Sequence, residues 1–265
     1  QGGIQMLGKL IKYEFRATAR ICLPLFGALL LAACISRLFE SLRFETPMVI
    51  GIALSVILII ATFVIVLIVT LLRFYRNLLT NEGYLMFTLP VTADSLIWSK
   101  LIVAFVWNIL SLIVVFAAIL IMAVTDLNLS DISLAITAGL NAVGITQAQF
   151  NWFVVEMIVL FLVSLPAGII VLYACMASSQ LVNKYRILFS FGAYIVLSII
   201  GQILGSIAMF IFLPKHMSFY SNPSVTEVVN MVNTAMLFSI ASSLIAGVAL
   251  YIVTRFMLKR KLNLE

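Results

Sequence analysis

Six stretches of the chain are apolar at nearly every position, at about 21–36, 48–72, 96–124, 152–177, 187–213 and 233–256. Runs of about 20 such residues suffice to cross a hydrocarbon core of ~30 Å. Inside lipid a single segment can satisfy its own backbone only as a helix. The pattern therefore predicts an all-α membrane protein of six transmembrane helices. Before the first stretch the period changes. Lys9, Lys12, Arg16 and Arg20 fall within an arc of about 80° at 100° per residue, with Leu7, Leu10, Ile11, Phe15 and Ile21 opposite. Residues 6–20 thus read as an amphipathic helix lying in the inner membrane interface, its cations near anionic headgroups. Pro24 would permit the bend into the first span. Glu14 breaks this pattern by projecting from the apolar face. It reads either as tilted toward the headgroups or paired with a neighbouring cation, or as a contact to a partner or to a neighbouring loop.

Between the second and third spans the chain does not become polar filler. The run Arg73-Phe74-Tyr75-Arg76-Asn77-Leu78-Leu79-Thr80-Asn81-Glu82-Gly83-Tyr84-Leu85-Met86-Phe87-Thr88-Leu89-Pro90-Val91-Thr92 has its own helical period and apolar face, a stop at Pro90 and a new helix start near Thr92. An ordered element at the membrane surface predicts a docking site for something outside the bilayer. Two loops on the other side also look ordered. Ser130 is placed to cap a helix through Ile132, Ile136, Leu140 and Val143. Ser224-Val225-Thr226-Glu227 reads as a capping box. Gly201, Gly205, Pro214 and Pro223 are possible break points of short re-entrant helices between about 200 and 232.

Composition changes the picture little. The chain is 64% hydrophobic and 10% charged, with a mean hydropathy of +1.21, which excludes a soluble domain of this size. Charge orients it. With both termini inside, thirteen of the sixteen Lys and Arg residues lie on the cytoplasmic side, and only Arg37, Arg43 and Lys215 lie outside. That bias matches the positive-inside rule and an even number of spans. The net charge of +6 is then a product of membrane orientation, and nucleic acid is not implied. The first span is too long and too late for a cleaved signal peptide. Residues 1–5 read as an expression remnant ahead of Met6, and residues 21–265 as one membrane domain.

Candidate chemistry is sparse. Cys22, Cys34 and Cys175 have no ligand spacing, His216 is the only histidine, and no P-loop, H-E-x-x-H or G-x-S-x-G occurs. No catalytic residue and no metal site is predicted, so any ATP must be held by another chain. Within the fifth span Ser190, Tyr194, Ser198, Gln202 and Ser206 form a polar stripe at a repeat of four, which serves either helix packing or a translocation path. Ser55, Thr62 and Thr70 are the sparse counterparts on the second span. Glu156, near the outer end of the fourth, is the one acid well inside a span. Such groups are costly and often functional, and pairing with Arg37 or Arg43 is its structural reading.

The run Arg73–Lys100 resembles the first cytoplasmic loop of ABC-2-type transporter permeases, where Glu-Gly…Leu-Pro-Val-Ser/Thr leads into the third span. Its Phe-Tyr-Arg-Asn-Leu…Glu-Gly-Tyr-Leu-Met-Phe-Thr-Leu-Pro is similar to permeases of low-GC Gram-positive bacteria, among them the phenol-soluble modulin exporters. The resemblance implies a coupling helix within about 73–95. Glu82, Gly83, Tyr84, Leu85, Phe87, Leu89 and Pro90, with Glu14, would then face a separate ATPase subunit that binds ATP and Mg. It further implies a second permease copy as partner, the bacterial plasma membrane as location, and a path between the second and fifth spans. On these terms Ser55, Thr62, Ser190, Tyr194, Ser198, Gln202 and Ser206 line the path, and an amphipathic peptide is the expected cargo. An ATP-independent channel or secondary transporter, and a non-transporting membrane scaffold or immunity protein, are the other readings.

Overall fold

The computed structural model describes residues 2–79, 92–123, 129–182, 184–212 and 224–260. Among these the regular structure is entirely helical: α1 Gly2–Ser41, α2 Glu45–Leu79, α3 Ala93–Ala123, α4 Leu129–Val143, α5 Gln147–Ser178, α6 Arg186–Phe212 and α7 Val225–Arg260. A single 3-10 turn, Ser179–Leu181, follows α5. Six of the helices are long and apolar enough to cross a membrane. The exception is α4, with 15 residues.

The chain divides into two compact units, the first holding α1–α3 and the second α4–α7. In the first, α1 packs along both of the others. Glu14 meets Arg73 and Ser36 meets Gly51, so α1 and α2 run antiparallel. Glu14 meets Lys100 and Phe15 meets Trp107, so α1 and α3 run parallel. The core is Trp107, 1% exposed, with Cys22, Phe26, Val66 and Val103. The Phe15 ring stacks on the Trp107 indole at 4.7 Å and 18°, and the Phe26 ring tilts against it at 5.9 Å. Lipid is as apolar as these side chains, so close dispersion contact, rather than exclusion from water, favours this packing. Gly51 permits the tightest approach. A Cβ placed there would stand 2.6 Å from Ser36 Oγ and 3.1 Å from Ser36 Cα.

In the second unit α5 and α7 form the main contact. A Cβ at Gly247 would lie 3.3 Å from the Ala167 Cβ, and one at Gly144 would lie 3.9 Å from Val225 Cγ2. Residue numbers rise together along both helices, so they are parallel. Helix α6 touches α5 but makes little contact with α7.

Helix ends follow local chemistry. After α1, Phe44 N–H donates to Phe39 O and Arg43 N–H to Glu40 O, with Arg43 left-handed at φ 58°. After α4 the same pair of bonds runs from Ile145 to Leu140 and from Gly144 to Asn141, with Gly144 at φ 78°. Both are Schellman terminations. The expected capping box at Ser224 is present. Ser224 N–H donates to the Glu227 carboxylate at 3.0 Å, and Glu227 N–H donates back to Ser224 Oγ at 3.3 Å. Thr92 caps α3 as expected, accepting from Ser95 N–H at 3.2 Å. A further box, Thr146 with Gln149, opens α5.

Two expectations change. The basic N-terminal segment is continuous with the first span, because α1 runs through Pro24 for 40 residues. At 1.5 Å per residue that is about 60 Å, twice a hydrocarbon core. The apolar side chains Ile11 and Phe15 pack on the Trp107 core, so protein contacts take the place expected for acyl chains. The cap expected at Ser130 adjoins residues 124–128, which lie outside the described residues, and Ser130 itself belongs to α4. Residues 200–212 and 225–232 belong to two long helices, with no break at Gly201 or Gly205. In lipid a broken turn would strand backbone groups without water, so a glycine alone does not end the helix. The rest of the proposed re-entrant segment, 213–223, lies outside the described residues.

Candidate functional site

Glu14 is 7% exposed and draws three side chains to its carboxylate. Lys100 Nζ donates to Oε1 at 2.5 Å, Asn77 Nδ2 donates to the same oxygen at 2.9 Å, and Arg73 Nη1 reaches Oε2 at 3.3 Å. Lys100 is 4% exposed. An isolated charge buried this deeply would cost several kcal/mol. The helix period brings the partners together: Arg73 and Asn77 are four apart on α2, and Lys100 lies two turns into α3. Glu14 thereby joins the last turns of α2 to the first turns of α3, the two stems of the loop between them. Phe74, Leu78, Leu79, Leu96 and Ile97, at most 1% exposed, fill the space around these stems. Of the two readings of Glu14, the structure realises pairing with cations, and those cations belong to the loop stems. The tip residues Glu82, Gly83, Tyr84, Leu85, Phe87, Leu89 and Pro90 lie outside the described residues.

The fifth-span stripe divides. Gln202 and Ser206, with Gly205 and Met209, form one wall of a cavity of about 420 Å³ between α6 and α7. The opposite wall is Thr234, Ala235, Phe238, Ser239 and Ser242. Ser190, Tyr194 and Ser198 stand on the preceding turns of α6 and do not line it. The α7 hydroxyls were missed in the sequence, although Thr234, Ser239 and Ser242 recur there within nine residues. Their hydrogens are already used. Ser206 donates to Gln202 O, Thr234 to Asn230 O and Ser239 to Ala235 O, each at 2.8 Å, and Ser242 to Ser239 O at 3.1 Å. What remains for an occupant is their lone pairs, supplemented by the Gln202 amide. The cavity therefore suits a molecule rich in N–H or O–H donors.

The second-span candidates are placed differently. Ser55 and Thr62 are fully buried within the first unit. Ser55 Oγ donates to Gly51 O at 2.9 Å and lies 3.4 Å from Ser36 Oγ, while Thr62 donates to Leu58 O at 2.7 Å. The close approach at Gly51 turns Ser55 toward α1, and neither hydroxyl is on the wall of the cavity between α6 and α7. Glu156 is 3% exposed, and neither carboxylate oxygen has a hydrogen-bond partner among the described residues. Arg37, one of its expected partners, is engaged with Glu40 at 2.8 Å, one turn along its own helix. By the parallel register of α5 and α7, Glu156 sits at about the level of Met236, among the turns of α7 that line the cavity.

Compared with known protein families, curated proteins and solved structures, the chain matches none.

Proposed function

We propose that this chain is the membrane subunit of an ABC-2-type exporter of the bacterial plasma membrane, with both termini cytoplasmic. Two copies would pair, and each would engage a separate ATPase subunit that holds ATP and Mg. The observation that carries the proposal is the Glu14 cluster. A loop that receives force from a soluble motor needs a stiff base, and one carboxylate bonded to both stems of residues 80–91 supplies it. The resemblance of Arg73–Lys100 to a coupling loop supports the same reading. Glu82 would accept hydrogen bonds from the ATPase, and Phe87 and Leu89 would fill an apolar cleft in it.

The cavity between α6 and α7 supports an organic, donor-bearing cargo. An amphipathic peptide can set apolar side chains against Met209, Ala235 and Phe238 and offer side-chain N–H groups to the hydroxyl lone pairs. An inorganic anion would find few hydrogen donors there, because the hydroxyl hydrogens are already bonded to the helix backbone.

The test is co-purification. The tagged chain should bring down a P-loop ATPase and acquire ATPase activity that amphipathic helical peptides stimulate. Glu82→Ala or Leu89→Asp should each weaken that association at a cost of about 1–4 kcal/mol, the range for interface anchors, without loss of membrane insertion. Retention of the ATPase by both variants would remove the assignment. Cysteines at Gln202, Ser206 and Ser239 should react with small polar thiol reagents in a nucleotide-dependent way, and one at Ile203 should not. Equal labelling of all four would leave the cavity as a packing defect.

Glu156 favours a second reading, transport without nucleotide, because an unpartnered carboxylate inside a span is a common feature of ion-coupled carriers. Cargo movement by the chain alone in liposomes, abolished by Glu156→Gln, would establish that reading in place of the first.

A further inference from the structure

Near the loop stems, α1 and α2 enclose a cavity of about 320 Å³, lined by Ile21 of α1 and by Val69, Leu72, Arg73, Arg76 and Asn77 of α2. We propose that this cavity binds the phosphodiester head group of an anionic phospholipid, with the upper part of an acyl chain lying along Ile21, Val69 and Leu72.

The lining is divided as such a molecule is divided. Arg73, Arg76 and Asn77 fall at three- and four-residue spacing, so the helix period presents two guanidiniums and an amide on one face at one end of the cavity. The other end is aliphatic. A guanidinium holds phosphate oxygens by paired, charge-assisted hydrogen bonds, which an ammonium cannot match in geometry.

Charge points the same way. In the adjoining cluster one carboxylate, that of Glu14, serves two cations. Lys100 holds it at 2.5 Å, whereas Arg73 reaches it at 3.3 Å through a single nitrogen. Arg73 keeps further N–H donors for a second acceptor, and its side chain is 31% exposed. Glu14, Lys100 and Arg73 together carry one more positive than negative charge, and an anion in the cavity would meet it.

Access selects a lipid over a soluble phosphate. Ile21 and Leu72 are about half exposed, at 48% and 50%, and both belong to helices apolar enough to lie in a membrane. The apolar side of the cavity thus opens where acyl chains would lie. The positive-inside pattern sets this end of α2 in the cytoplasmic leaflet, where anionic lipids concentrate.

The experiment uses the full chain in mild detergent, titrated with phosphatidylglycerol, with phosphatidylcholine of the same acyl chains, and with free glycerol phosphate. Bound lipid is counted by native mass spectrometry. Phosphatidylglycerol should bind about five-fold or more tightly than phosphatidylcholine, the preference expected from one basic contact. Arg76→Gln should reduce that preference to near unity. Leu72→Trp, which fills the cavity without touching a charge, should weaken binding of phosphatidylglycerol while Glu14 stays paired. Lys259→Gln, a basic substitution on α7, should leave the preference in place. Retention of the preference by Arg76→Gln, together with undiminished phosphatidylglycerol binding by Leu72→Trp, would overturn the site. An equal loss with Lys259→Gln would overturn it in favour of diffuse attraction, and displacement by free glycerol phosphate would overturn it in favour of a soluble anion.

Discussion

Each of the two units contributes three long apolar helices, yet they are held together in different ways. In the first unit the most apolar stretches of α1, α2 and α3 are 33, 22 and 33% buried within the protein. In the second the corresponding stretches of α5, α6 and α7 are 11, 0 and 6% buried. The first unit has an aromatic centre at Trp107 and a satisfied charge cluster at Glu14. The second has a line of small contacts between α5 and α7, hydroxyls facing a cavity, and a buried carboxylate with no partner among the described residues. The first unit covers a larger share of its own spans, and α6 of the second is the most exposed of the six.

Two carboxylates offer the sharpest way to break this comparison. Glu14→Gln would leave Lys100 buried without its counter-ion and should destabilise the first unit by about 3–5 kcal/mol, read as a lower thermal midpoint in detergent. Glu156→Gln removes a charge that has no described partner, so the midpoint should be unchanged or higher. An equal loss for both would mean that Glu156 has a partner in the working assembly, and the contrast between the units would fail.

Glycines give a graded series with smaller effects. Gly51→Ala forces α1 and α2 apart at Ser36, where backbone as well as side chain is met, and should cost about 1–3 kcal/mol. Gly247→Ala meets the Ala167 Cβ at 3.3 Å and its Cα at an ordinary 3.6 Å, and should cost less than ~1 kcal/mol. Gly201→Ala has nothing within 4 Å and should stabilise α6 by about 0.4–1 kcal/mol through the unfolded chain. A loss of stability at Gly201 comparable to that at Gly51 would show that α6 is covered by a partner, which sharpens the reading of its exposed face.

The six spans, the cap at Thr92 and the box at Ser224 were legible in the sequence, because hydropathy and capping act over a few residues. Partners distant along the chain were not. Glu14 was visible as an exception on an apolar face, but its bonds to Arg73, Asn77 and Lys100 span 59, 63 and 86 residues. Only the packing of α1 against both neighbours decides them. The glycines of α6 misled for a related reason. Their tendency to break helices is measured against water, and in lipid an interrupted helix has no solvent to take up its freed carbonyls. The stripe on α6 was readable as a period, while the wall that answers it on α7 needed the two helices to be set side by side. Ser55 and Thr62 carry hydroxyls like the serines of the stripe, and only their full burial within the first unit tells them apart.

The joint between α4 and α5 has a mechanical consequence. The Schellman termination commits Gly144 and Ile145, and the capping box commits Thr146, so the connection contains no uncommitted residue. Hydrogen-bonded on both sides, it has little torsional freedom and cannot act as a swivel. A rotation of α5 about its own axis would be transmitted to α4 as a sweep, the short helix moving like a crank arm. Any tilt of the fourth span during a working cycle would then be read out as the displacement of α4, amplified by its 15 residues, or about 22 Å of lever.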